Sequence, residues 1–294
     1  MRQILLGTDE AGYGPNLGPL VVAITAWESD SENLSFLLEP LKNEGIVIGD
    51  SKKLYHGGSL GKLEIGVRVP LRTLDKDVVP TETDEEKMIR LSTKFETILQ
   101  QHHVRLLDMK YRVVEPKEFN QLLDRFGTKG TVLSYITLRL ISDQLAQLAS
   151  AENSLPVLVL CDKHGGRNYY LEILTEFFPG AFIQPLRQSR VSSEYRLIST
   201  KKEPEAQCNA VPDQAIEFRF LAKGESHVPI AIASMLAKYR RELAMIQFNA
   251  FWRAYVPDLQ PTAGYPEDAK RFRRQVADVQ KALGITDEVF WRKR

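Results

Sequence analysis

The chain has 294 residues, 43% of them hydrophobic, and a formal net charge of +1 from 39 Lys and Arg against 38 Asp and Glu. This composition supports a packed core and excludes wholesale disorder, a polybasic wrapper and an acidic tail protein. A local basic surface stays compatible with it, because nucleic-acid contact needs a patch and not a global excess. Two cysteines, Cys161 and Cys208, are too few for a disulfide framework or a Cys-rich zinc fold. The N-terminus carries no secretory signal, so a cytoplasmic location is expected. The apolar run over 20–27 has eight residues, well short of the roughly 20 that span a bilayer, and no membrane association is expected.

Residues 3–9 and 20–27 are β-branched or apolar and predict two strands around a Gly- and Pro-rich loop over 12–19. Residues 62–73 alternate enough to predict a further strand or hairpin. Residues 75–87 carry six acids against two lysines, which predicts an exposed loop leading into a helix over 84–101. A strand over 104–114 follows. Glu115-Pro116 is a helix start with proline in the first turn, and a longer helix is expected over 130–149. Residues 157–162 predict a short buried strand, 168–178 a helix stopped by Pro179-Gly180, and 182–221 strands and hairpins. Helices return at 229–255 and 267–283, with Pro257 and Pro261 between them. Early strands followed by alternating helices and strands predict an α/β fold, a mixed sheet flanked by helices. One domain is expected over residues 1–245, followed by a helical C-terminal extension over 246–294.

Four acidic residues stand in apolar surroundings, at three places in the chain. Asp9 and Glu10 end an apolar strand and enter the glycine-rich loop. Successive strand residues face opposite sides, so both reach one site only if the strand ends or bends there, as Gly12 and Gly14 allow. A simple turn acid is the alternative. Asp162 follows an apolar strand and precedes Lys163-His164-Gly165-Gly166-Arg167, a common site position in α/β sheets; an Asx turn or helix cap is the alternative. Glu242 sits on the edge of the helical face formed by Ile232, Met235, Leu236, Tyr239, Leu243 and Ile246, while Arg241 points away from it. A salt bridge to Lys238 one turn back is its alternative. Clustered acids repel and are costly to desolvate, and divalent metal is the usual remedy. Oxygen ligands suit Mg²⁺ or Mn²⁺, so a metal-dependent phosphate chemistry is expected if the fold brings these acids together.

Asp9-Glu10-Ala11-Gly12-Tyr13-Gly14-Pro15-Asn16-Leu17-Gly18-Pro19 resembles the opening motif of the ribonuclease HII/HIII family. Asp50-Ser51-Lys52-Lys53-Leu54, the strand-end Asp162, Ile230-Ala231-Ile232-Ala233-Ser234-Met235-Leu236-Ala237-Lys238 and Gly264-Tyr265-Pro266 resemble its later motifs in the same order. The likeness runs from residue 4 to about 268, with extra material near 57–100 and 182–222. It implies a ribonuclease-H-like fold and endonucleolytic cleavage of the RNA strand of an RNA/DNA hybrid, leaving 3′-hydroxyl and 5′-phosphate ends. It further implies a two-metal Mg²⁺ or Mn²⁺ site made by Asp9, Glu10, Asp162 and Glu242. Three departures are visible: Glu242 stands where the family has Asp, Tyr13 stands where it has Arg, and the loop Lys163-His164-Gly165-Gly166-Arg167 is not the ordinary family sequence, with Arg167 as a candidate for the missing cation.

Contacts to the hybrid are expected from Gly12, Tyr13, Gly14, Lys52, Lys53, Lys163, Arg167, Lys223, Lys238 and Tyr265. Residues 187–202 add five basic side chains against one acid, with Ser189, Ser192, Ser193 and Tyr195 among them; a solvated hairpin is the alternative. Arg271, Arg273 and Arg274 extend the track or are a solvated helix face. His164 is expected on a surface loop. No obligate protein partner is evident. A related nuclease with a shifted nucleic-acid substrate and a non-catalytic nucleic-acid-binding homologue are the competing functions.

Overall fold

The first strand, β1 (Gln3–Ala11), pairs antiparallel with β2 (Leu20–Ser29), and the loop over 12–19 joins them. The computed structural model describes residues 1–55, 59–74, 84–150, 155–199 and 215–293. After β2 come α1 (Leu38–Asn43), α2 (Ser51–Leu54), α3 (Gly61–Thr73), α4 (Glu85–Gln101), β3 (Arg105–Val114), α5 (Pro116–Phe126) and α6 (Lys129–Ser150). The second half contains β4 (Val157–Asp162), α7 (Leu171–Phe177), β5 (Ala181–Gln188), β6 (Ser192–Ser199) and β7 (Ile216–Leu221). It closes with α8 (Val228–Tyr255), α9 (Pro266–Ala282) and α10 (Asp287–Phe290). The strands form one seven-stranded sheet in the order β3-β2-β1-β4-β7-β6-β5. β4 runs parallel to both β1 and β7 and the other pairs are antiparallel, so the sheet is mixed and flanked by helices, as expected.

Alternation along the strands fills two cores. Ile4, Leu6, Val22 and Val159 pack with Phe119, Ile136 and Leu174 from α5, α6 and α7. Leu5, Val21, Leu158 and Leu160 pack on the other face with Leu63, Phe95 and Ile232 from α3, α4 and α8. A third cluster joins Leu17 of the first loop to Trp252, Phe272 and Phe290 of α8, α9 and α10. Helix α8 runs unbroken through residue 246, so the C-terminal helices share a core with its last turns. Among the described residues no helix is long and apolar enough to cross a membrane.

One element departs from the sequence reading. Residues 62–73 form helix α3 and no strand. The alternation there is misleading: Leu63, Val67 and Leu71 recur every four residues, and Glu64 pairs with Arg68 at 2.8 Å along the same helix. The periodicity is helical and its apolar side meets α8, despite Pro70 within the helix. The expected acidic loop lies mostly outside the described residues, at 75–83, as does Cys208.

Gly7 sets how closely α8 lies on the sheet. A Cβ there would stand 2.2 Å from the carbonyl carbon of Pro229, which is backbone and cannot swing aside. Thr25 Oγ1 donates to the carbonyl of the same Pro229 at 2.8 Å, fixing the helix start. Gly7→Ala is expected to lower stability by about 2–3 kcal/mol, an overpacking cost. A wild-type urea midpoint for Gly7→Ala would contradict this close approach.

Candidate active site

Strand register brings the first acids together. Thr8 of β1 is paired with Cys161 of β4, and the next residue in each strand is an acid, Asp9 and Asp162. Both stand at the carboxyl ends of parallel strands, the position from which open α/β sheets build sites. Leu5 and Leu160 of the same strands lie in the α8-side core, so alternation turns Asp9 and Asp162 toward α8 as well. Glu10 faces the other side, but β1 ends one residue later and Gly12 turns the chain at φ +88°. Glu10 therefore still borders the same cavity.

Asp162 builds the next part. Its Oδ1 accepts the backbone N–H of Gly224 at 2.8 Å, which holds a short 3-10 turn, Gly224–Ser226. That turn presents Glu225. Ser234 of α8 donates its hydroxyl to Glu225 Oε1 at 3.0 Å, stands beside Asp9, whose pKa it lowers, and lies 2.9 Å from the hydroxyl of Ser51, the first residue of α2. One buried serine thus joins β1, the turn after β7 and the Asp50-Ser51-Lys52 segment.

The cavity measures about 320 Å³. Asp9, Glu10, Asp162 and Glu225 line it, with Lys52, Lys238 and Arg241 as its cations and residues 12–14 and Tyr265 along its rim. Burial pushes the pKa of Asp9 up to about 7, and the charges of Asp162 and Glu225 add to the rise against the bonds from Ser234 and the Glu10 N–H. Glu10 is raised well above the usual carboxylate range by burial and then by Asp9 and Asp162. Burial also raises Asp162, which Gly224 N–H and Lys52 partly offset, and Glu225. Burial is the largest cause in all four, so each is costly to hold ionised without a cation. Among the described residues no three Asp, Glu, His or Cys side chains already stand as a ligating cluster. The all-oxygen donor set on one wall nonetheless fits a hard divalent cation such as Mg²⁺ or Mn²⁺.

Glu242 is placed apart from these four. It does not line the cavity; its Oε1 accepts Lys238 Nζ at 2.7 Å and Arg241 Nη1 at 3.2 Å. The hydroxyl of Tyr55 is bonded to it too, which with burial pushes that phenol up to about 12. The salt bridge to Lys238, the alternative reading of this residue, is therefore present. Arg241 does not point away from the core: it is 2% exposed, lines the cavity and donates to the carbonyl of Ala263 at 2.8 Å. The segment after α8 folds back over that side of the helix, which a helical wheel does not contain. Glu225 is the acid that the sequence reading passed over. Its signal is related to that of Asp162: an acid beside a glycine in the turn that follows a strand, here four residues past the alternating strand β7.

The basic residues divide. Lys52 and Lys238 reach the cavity. Lys53 is exposed beside Asp50, 3.8 Å away, and Lys223 is exposed at φ +62°. Lys163 is committed to Asn168 Oδ1 at 2.7 Å and the Ser189 carbonyl at 2.6 Å, and Arg167 to Thr131 Oγ1 at 2.8 Å. In the hairpin, Ser193 donates to the Asn168 carbonyl and the buried Tyr195 hydroxyl accepts from Tyr170 N–H, so both serve packing. Arg271 and Arg273 pair with Asp268 and Asp287. Tyr265 is 55% exposed and its ring edge approaches Gly14. Tyr13 crosses to the other loop: a Cβ on Gly165 would lie 2.5 Å from its hydroxyl oxygen.

His164 is buried and not on the surface. It is 2% exposed, its Nδ1 lies 2.9 Å from Ser134 Oγ, and its ring meets Tyr170 and Phe220 edge-on. Burial, then Arg167, lowers its pKa from the ordinary 6.5 to about 3. The folded protein keeps this imidazole neutral while the unfolded chain takes a proton. Its contribution to stability is whole above pH 6.5 and falls as pH drops toward 3, by up to about 1.4 kcal/mol per pH unit. The urea midpoint of His164→Gln is expected to fall less than that of the wild type between pH 7 and 5; parallel profiles would refute this.

No protein-family model matches the chain, and no curated protein matches it. Solved structures do. RNase HII from Archaeoglobus fulgidus, determined in complex with PCNA, is 18% identical over 99% of this chain and 94% of its own, with a TM-score of 0.48. Ribonuclease H2 from Pyrococcus horikoshii OT3 is 17% identical over 98% and 92%, with a TM-score of 0.47. Bst-RNase HIII in complex with Mn²⁺ is 17% identical over 99% and 66%, with a TM-score of 0.46. The chain is similar to ribonucleases HII and HIII.

Proposed function

We propose that the chain is a metal-dependent endoribonuclease of the ribonuclease H type, cutting the RNA strand of RNA/DNA hybrids to 3′-hydroxyl and 5′-phosphate ends. The observation that carries this reading is the convergence of Asp9, Glu10, Asp162 and Glu225, from separate stretches of sequence, on one cavity beside the glycine loop and Lys52. The ordered motif resemblance points the same way. Asp9, Glu10, Asp162 and Glu225 are the residues that would hold Mg²⁺ or Mn²⁺. Bound there in the two-metal manner, such ions supply water activation and neutralise charge on the leaving 3′-oxygen.

The remaining work falls to the chain itself. Gly14 offers a backbone that a nucleic-acid strand approaches closely, because the space a side chain would fill there holds only the edge of the Tyr265 ring at 3.7 Å, whereas Gly12 is bare to make room for Arg241 and the Pro19 carbonyl. Lys52 lines the cavity, where its ammonium favours the ionised form of Asp162 and is placed to meet a phosphate oxygen. Lys238 is shared: it pairs with Glu242 and lies 4.5 Å from the Tyr55 ring centre, which fixes its ammonium beside the cavity. Tyr265 offers an exposed ring for a sugar or base.

The test is cleavage of a labelled RNA/DNA hybrid and of a DNA duplex with one embedded ribonucleotide, with Mg²⁺, with Mn²⁺ and with EDTA. Metal-dependent nicking of the RNA strand of the hybrid is the expected result. An intact hybrid after long incubation with either ion contradicts the proposal. Tyr13, wedged against Gly165, offers no cation to the substrate, and this favours a second reading, a related nuclease with a shifted substrate. Preference for a hybrid-free substrate in the same assay would select it.

A further inference from the structure

The glycine loop is held from behind by a segment remote in sequence. Arg292 is fully buried, and its Nη2 donates to the carbonyl oxygens of Gly12 at 2.7 Å and Pro15 at 2.5 Å. The backbone reinforces the contact: Arg292 N–H donates to the Asn16 carbonyl at 2.8 Å, and Asn16 Nδ2 donates back to the Arg292 carbonyl at 2.9 Å. The holding segment is itself anchored. Asn120 of α5 donates to the carbonyls of Glu288 and Trp291 and accepts the N–H of Lys293.

This is an expensive way to fill a core. The Nε and Nη1 of Arg292 are buried without a hydrogen-bond partner. Burial and the nearby Arg241 push its pKa down. An apolar side chain of similar length would avoid that desolvation. What the guanidinium adds is orientation. Peptide groups are planar and trans, so a carbonyl turned toward Arg292 turns the N–H of the next residue the opposite way. Fixing the Gly12 and Pro15 carbonyls therefore fixes the directions of the Tyr13 and Asn16 N–H groups. Asn16 N–H meets the Gly264 carbonyl at 2.8 Å, which ties the loop to the Gly264-Tyr265 turn as well.

We propose that Arg292 is a positioning residue of the site, setting the peptide orientations of residues 12–16 and through them the rate of cleavage, without touching metal or substrate. The rate part rests on the nuclease reading above; the loop part does not.

Arg292→Met and Arg292→Lys separate this from a packing role. In Arg292→Met the Tm of the metal-free protein is expected to change little, because removal of a partly unsatisfied buried charge offsets the Gly12 and Pro15 carbonyls left without a donor. In this variant the amides of Tyr13, Gly14, Asn16 and Leu17 are expected to exchange hydrogen faster than in the wild type. Its kcat is expected to fall about 10²-fold, with KM and Mn²⁺ affinity little changed, the scale of a small displacement in a catalytic site. Arg292→Lys keeps a donor for the carbonyls, and both exchange protection and kcat are expected to recover in large part. Wild-type exchange or wild-type kcat in Arg292→Met overturns the proposal, as does a loss of kcat that merely tracks a fall in Tm and is not rescued by Lys. If the wild type cuts no nucleic acid, the nuclease reading and the rate part fail together, and the exchange rates still decide the loop part.

Discussion

Asp9→Asn is expected to lower hybrid cleavage by about 10³-fold or more and at the same time to stabilise the metal-free protein. Asp9 is 8% exposed, and burial with the charges of Asp162 and Glu225 raises its pKa to about 7. At pH 8 the carboxylate is ionised in both the folded and unfolded chain, so the folded state bears the cost of holding that charge. An amide removes the charge and keeps an oxygen for the Glu10 N–H, now bonded at 2.7 Å. With each pKa unit equal to about 1.4 kcal/mol, the gain is on the order of 2–4 kcal/mol. Urea unfolding in EDTA at pH 8, beside a cleavage assay in Mg²⁺, measures both. Loss of activity with loss of stability would show that Asp9 serves packing.

Glu225→Gln and Glu242→Ala are expected to separate the acid that lines the cavity from the acid paired with Lys238 and Arg241. Glu225 is half-buried in a short turn and bonded through one oxygen to Ser234. Its amide keeps that bond and loses the charge that a cation needs, so activity falls about 10²-fold or more with little change in stability. Glu242 compensates Arg241, which is 2% exposed. Truncating it leaves that guanidinium without its carboxylate and Lys238 and Tyr55 without an acceptor. A loss of about 3 kcal/mol is expected, the cost of breaking a buried pair from one side. Mn²⁺ affinity of the folded fraction is expected to stay near the wild-type value in Glu242→Ala and to fall in Glu225→Gln. The opposite assignment of the two effects contradicts the geometry.

Much of this was legible in the sequence because it is local. The strand over 157–162, the glycine loop and the helix from 229 are each written in short-range pattern, and Asp9 and Asp162 stood out as polar residues ending apolar strands. Helix α3 was missed because its four-residue spacing overlaps with chance alternation and Pro70 argues against a helix. The place of Glu225 on the cavity is hidden from the sequence for a different reason. A position on a helical wheel says which way a side chain leaves the helix, and not what waits there. Glu242 meets Lys238, Arg241 and Tyr55, while Glu225 is brought to Asp162 by a hydrogen bond spanning 62 residues of sequence. The burial of His164 likewise depends on Ser134, Tyr170 and Phe220, which come from other elements.

Anomalous diffraction from crystals grown in saturating Mn²⁺ tests the central claim most directly. Mn²⁺ coordinated within the cavity by Asp9, Glu10, Asp162 and Glu225, with Glu242 still paired to Arg241, is the predicted result. Mn²⁺ bound by Glu242 in place of Glu225, or a cavity without Mn²⁺ at saturation, would contradict it.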